Sequence, residues 1–97
     1  MRVRPLNRVG YEHLQAGDTK GAVEILKMNV TAYPNSANVY DSVSDAYLAD
    51  GQKDLALLNA KKALERLAAD TSGSEARRDG IKISAEQKVK ELGEAPH

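Results

Sequence analysis

The chain has 97 residues, 41% of them hydrophobic, enough for one small core and too many for a disordered chain. It lacks Cys, Phe and Trp, so a disulfide framework and a thiolate metal site are excluded, and the core must be built from Ala, Leu, Val, Ile and four Tyr. Fourteen Lys and Arg balance fourteen Asp and Glu, which leaves no overall field to attract nucleic acid, and no run approaches the ~20 apolar residues of a membrane span.

The opening Met1-Arg2-Val3-Arg4-Pro5 is basic with no apolar run behind it, unlike a secretory signal, so a cytoplasmic protein is expected. Pro5 suits the first turn of a helix, where its missing N–H costs nothing. Leu6, Val9, Gly10, His13 and Leu14 follow at i, i+3, i+4, i+7 and i+8, one face of that first helix, and Gly17 ends it. Asp18 or Thr19 caps a second helix carrying Ala22, Val23, Ile25, Leu26 and Val30, which Pro34 closes. Asn35 and Ser36 offer caps for a third helix with Val39, Tyr40, Val43, Ala46, Tyr47 and Leu48, ending at Gly51. A fourth carries Leu55, Ala56, Leu57, Ala60, Ala63, Leu64 and Leu67, and with Ala68 where a stop is expected it should run on for an extra turn.

Residues 70–74 read as a linker, with Ser72 and Glu75 spaced as a capping box and Ser74 as the rival cap. A fifth helix over 74–92 then carries a thin stripe, Ile81, Ala85, Val89 and Leu92. Its Arg77, Arg78, Lys82, Lys88 and Lys90 alternate with Glu75, Asp79, Glu86 and Glu91, which reads as a solvated face and not a nucleic-acid site.

The first four helices repeat at a shift of 34 without a gap. Leu6 falls on Tyr40, Val9 on Val43, Gly10 on Ser44, His13 on Tyr47, Leu14 on Leu48, Gly17 on Gly51 and Ala22 on Ala56. The pattern over 3–69 resembles the tetratricopeptide repeat (TPR), a 34-residue helical hairpin. The resemblance implies an all-α fold of five helices: one repeat over 3–36, a second over 37–69, and a capping helix over 74–92. Departures are His13 where the family packs a Tyr, Asn29 where it has Ala, and Ala68 where Pro would close the second repeat. More narrowly, Asn7-Arg8-Val9-Gly10-Tyr11, Lys27-Met28-Asn29-Val30 and the run from Tyr33 to Ser42 resemble the repeat segment attached to some bacterial serine hydrolases.

In TPR proteins the first helix of each repeat lines an inner groove. The resemblance places Asn7, Tyr11 and Leu14 there, with Arg4 and Gln15, and Asn38, Asp41, Asp45 and Leu48 with Ala49 from the second repeat. Tyr11 and Leu14 would anchor apolar groups, and Asn7 and Asn38 would bond a peptide backbone. Asp41 and Asp45, at i and i+4, would form an acidic floor suited to a basic peptide. The expected partner is therefore a protein or peptide. The end around Leu6 lacks a cap, so the first helix is expected to expose apolar edge residues, Leu6 foremost. Either another domain or a second copy of the chain, as a homodimer, would pack against them.

No Gly-x-Ser-x-Gly, Gly-x-x-x-x-Gly-Lys or His-Glu-x-x-His motif is present. His13 has no cysteine or second helical histidine with which to hold a metal. The sequence thus predicts a binding protein without enzyme activity, metal or cofactor, either free-standing or as a structural and oligomerisation appendage of a hydrolase.

Overall fold

A computed structural model describes residues 3–69 and 74–93, with the side chains of the first helix from Leu6 onward. Arg2, Ser72 and residues 94–97 lie outside the described residues, as do the side chains of Val3, Arg4 and Pro5. The described residues form five helices and no strand: α1 (Val3–Gln15), α2 (Thr19–Ala32), α3 (Ala37–Ala49), α4 (Lys53–Ala69) and α5 (Glu75–Gly93).

Local chemistry sets the boundaries. Gly17 and Gly51 adopt φ of +85° and +79°, the left-handed region that glycine enters without a side-chain clash. At each, the glycine N–H bonds three residues back, to Leu14 O or Leu48 O, and the next N–H bonds five back, to His13 O or Tyr47 O. These are Schellman closures, and they satisfy otherwise orphaned carbonyls of α1 and α3 in the same way. Asp18 caps α2, its Oδ1 accepting the Gly21 N–H at 3.0 Å. The His13 ring first, then that N–H, holds the Asp18 carboxyl below the usual carboxylate range. Ser36 occupies the α3 N-cap without a side-chain bond, and Ser74 takes the cap of α5, its Oγ accepting the Arg77 N–H at 3.1 Å.

Two apolar clusters form the interior. Ala22, Val23 and Leu26 of α2 meet Val43 and Ala46 of α3, with Leu14, Val30 and Tyr47 at the edge. Val39 and Tyr40 of α3, Ala63 of α4 and Ala85 of α5 form the second, edged by Val30, Tyr33 and Leu64. With Ala22, Ala56, Ala60, Ala63 and Ala85 all fully buried, the helices cross at close range, as small residues at a crossing allow. α1 pairs with α2, and α3 with α4. α3 also packs on α2 and more lightly on α1, and α5 repeats that relation to α4 and α3. Thr19 Oγ1 donates to Asp50 Oδ1 at 2.8 Å, tying the start of α2 to the end of α3.

The register of α5, which the linker hides in the sequence, is set by hydrogen bonds. Tyr11 on α1 and Asp45 on α3 are partners at a separation of 34, so neighbours across these helices hold equivalent positions. Asp41 with Ser84 and Asp45 with Lys88 repeat the relation between α3 and α5 at a separation of 43, nine residues longer. On that register the buried Tyr40, Val43 and Ser44 correspond to the exposed Ile83, Glu86 and Gln87. α5 is thus built like a first helix whose hairpin-facing side has largely been converted to polar residues. At the other end Leu6 is half-buried. Among the described side chains there, the exposed apolar one is Val9, at 38%, between exposed Arg8 and Glu12, where α3 has buried Ser42, Val43 and Ala46.

The two hairpins solve one packing problem in opposite ways. A Cβ added at Gly10 would meet Leu26 Cγ and Cδ2 at 2.5 Å, so Leu26, fully buried, would have to shift within the packed core. The equivalent residues are Ser44 and Ala60, larger on one helix and smaller on the other; Ser44 Oγ uses the space to donate to Ala56 O at 2.6 Å. Gly10→Ala should lower unfolding free energy by about 1–2 kcal/mol despite the better helix former, and Leu26→Ala by about 2–5 kcal/mol. In urea unfolding the double variant should lose about 1 kcal/mol less than the sum, because the new methyl enters the vacated space; additive losses would separate the two sites.

Candidate functional site

One polar cluster joins three helices. Tyr11 of α1 donates its hydroxyl to Asp45 Oδ2 at 2.6 Å. Lys88 of α5 reaches Asp45 Oδ1 at 2.7 Å, Asp41 Oδ1 at 2.8 Å and the Asp41 backbone oxygen at 3.0 Å. Ser84, one turn before Lys88, donates to Asp41 Oδ1 at 3.0 Å. The three N–H donors of the ammonium therefore have three acceptors, the condition under which a cation tolerates burial. The Lys88 side chain is 6% exposed, Asp41 11% and Asp45 32%.

Burial governs the protonation of this cluster. It raises the Asp41 carboxyl above its ordinary value, against the opposing pull of the Lys88 ammonium, and the Asp45 charge adds to the rise. Burial first, then the Asp45 charge, pushes the Tyr11 phenol far above its usual range, so it remains a donor at neutral pH. For Asp41 the folded form binds a proton more readily than the unfolded form. Ionising it therefore costs stability above the unfolded value, and that cost is relieved as pH falls through the folded value.

The structure sorts the sequence-predicted groove residues into two groups. Tyr11, Asp41 and Asp45 come together, with Leu48 beside them. Asn7 turns toward α2, accepting from the buried Asn29 Nδ2 at 2.9 Å, and Leu14 packs against the first apolar cluster. Asn38 is half-buried near the start of α3. The acidic floor expected from Asp41 and Asp45 is not open: Asp41 is buried and both carboxylates are held by Lys88. Lys88, in turn, is not on the solvated face. It lies seven residues after Ile81 and three after Ala85, within the apolar stripe, and that spacing was the available signal of its burial.

Beside the cluster, α3 and α5 border an open cleft of about 420 Å³. Asp45 and Leu48 line it from α3, and Gly80, Ile83, Ser84, Gln87, Lys88 and Glu91 from α5. Ile83 is 64% exposed, a large apolar side chain left to water. None of the α5 residues was singled out as a groove residue by sequence, because the fifth helix had no fixed register. Among the described residues no group of three His, Cys, Asp or Glu side chains is placed to hold a metal ion, and no helix is long and apolar enough to cross a membrane. His13 Nδ1 lies 2.8 Å from Asp18 Oδ2 at the turn between α1 and α2.

No protein-family model matches the sequence, and no curated protein matches it.

Removing one partner of a buried ion cluster leaves the others uncompensated. Lys88→Met keeps most of the stem and strips the charge, and should cost about 3–5 kcal/mol at pH 7 in urea unfolding. Without the ammonium, Asp41 should bind a proton at still higher pH in the folded state, so the deficit should shrink on acidification to about pH 5. A deficit independent of pH would mean that the carboxylates are not held apart from water.

Proposed function

We propose that the chain is a TPR-type protein-interaction module that takes an extended peptide in the cleft between α3 and α5. The observation that carries this reading is the cleft itself, open, about 420 Å³ in volume, and walled by the apolar side chains Leu48 and Ile83. Further support comes from the 34-residue repetition, the matching closures at Gly17 and Gly51, and the Tyr11–Asp45 bond between equivalent positions. The carboxylates, hydroxyls and amides of the site orient a bound chain, and the reading assigns it no reaction, cofactor or metal, in a cytoplasmic setting.

A second reading, a docking appendage of a bacterial serine hydrolase, draws on Val9. That residue is exposed on α1 where its counterpart Val43 is buried against α2, and it offers a place for a further domain or a second copy.

Selection of peptides from a random nine-residue display library against the whole chain tests the first reading. Selected peptides should lose about tenfold or more in affinity to Leu48→Asp and to Ile83→Asp, the range for truncating a central contact. Circular dichroism should show both variants folded. Binders indifferent to both substitutions, or affected only by Val9→Lys, would transfer recognition to another surface.

A further inference from the structure

Charge decides what kind of peptide the cleft suits, and the count differs from that of the sequence. Three charged residues line it: Asp45, Lys88 and Glu91. Lys88 is formally a cation of the lining, yet its side chain is 6% exposed and its three donors are spent on Asp41 and Asp45. Its charge is consumed inside the protein and is not offered to a ligand. Asp45 keeps about a third of its side chain exposed, but its two oxygens already hold Lys88 and Tyr11. Glu91 is exposed, with one oxygen accepting from Gln87 Nε2 at 3.2 Å, and is the freer carboxylate. Among the charged residues of the lining, the two carboxylates of Asp45 and Glu91 therefore stand without a cation offered to a ligand.

The apolar contribution lies on the same walls. Leu48 stands one turn from Asp45 on α3, and Ile83 two turns from Glu91 on α5. A ligand that covers Leu48 and Ile83 therefore brings neighbouring side chains within reach of the two carboxylates. A peptide ending in a carboxylate, or rich in Asp and Glu, would meet like charge with no free cation in the lining. The chain as a whole has no net charge, so any preference is local and screened by salt within about 10 Å.

Resting on the reading of the cleft as a peptide site, we infer that its ligand is a basic, apolar segment: a Lys or Arg side chain set against Glu91 and Asp45, and an aliphatic side chain seated on Leu48 and Ile83. Electrostatic matching of this kind selects among partners more than it adds affinity.

Calorimetric titration of the whole chain with synthetic peptides tests the inference. The probes are three Lys-Leu-Ser triplets, three Glu-Leu-Ser triplets and three Lys-Ser-Ser triplets. At low salt the Lys-Leu-Ser peptide should bind about tenfold tighter than Glu-Leu-Ser, an advantage that shrinks at high salt. Glu91→Lys, a substitution well suited to the last turn of a helix, should abolish that advantage. Ile83→Ser should weaken Lys-Leu-Ser to the level of Lys-Ser-Ser. Equal or tighter binding of Glu-Leu-Ser, an advantage unmoved by Glu91→Lys, or no binding of Lys-Leu-Ser overturns the inference. In those cases display-selected peptides that still depend on Leu48 and Ile83 would preserve the peptide-binding reading, and selected peptides that do not would remove both.

Discussion

The ammonium of Lys88, enclosed by Asp41 Oδ1, Asp45 Oδ1 and the Asp41 backbone oxygen, determines where the last helix sits. Its apolar stripe is too thin to do so alone, since among Ile81, Ala85, Val89 and Leu92 only Ala85 is fully buried. A charge that must find three acceptors tolerates no slide along α4, because any other register leaves it or the carboxylates unpaired in a poorly solvated place. The polar cluster adds a geometric condition to the packing of Ala85 against Val39, Tyr40 and Ala63. The cleft exists only in that register, since Ile83 and Glu91 belong to the same rigid helix as Lys88.

The same interaction explains the chemical character of α5. Among the described residues no further helix packs on the outer side of α5, which is polar there and adhesive toward α3 and α4. Glu86 and Gln87 supply the first property where α3 has Val43 and Ser44, while Ala85 and Lys88 supply the second. Arg78 adds a hydrogen bond to Leu67 O near the end of α4. Ile83 is the departure from this pattern, apolar on the side that faces water, and the proposed peptide site gives it a use.

Much of the fold was legible because its signals are local. Gly17, Gly51 and Pro34 mark boundaries through backbone chemistry that needs no distant partner, and the extra length of α4 followed from Ala68 standing where a stop was expected. What could not be read involves contacts between residues far apart. Lys88 looked like one more charge on an alternating face, because pairing it with Asp41 and Asp45 requires a register that the nine-residue offset conceals. Asn7 was assigned to the groove by position alone. Asn29 was noted as a departure from the family, and a buried amide on α2 needs a partner; Asn7 provides one. Each was a clue to the other, visible only when the two were considered together.

The opposed solutions at Gly10 with Leu26 and at Ser44 with Ala60 bear on how such a protein can be altered by recombination. Hairpins that look interchangeable by their spacing are not interchangeable helix by helix. A chimera carrying α2 in place of α4 would set a leucine against Ser44, and the reverse exchange would leave Gly10 facing an alanine across a void. Each hairpin carries a matched lock and key, so whole hairpins are the smallest pieces that can be traded, and single helices can diverge only in step with their mates.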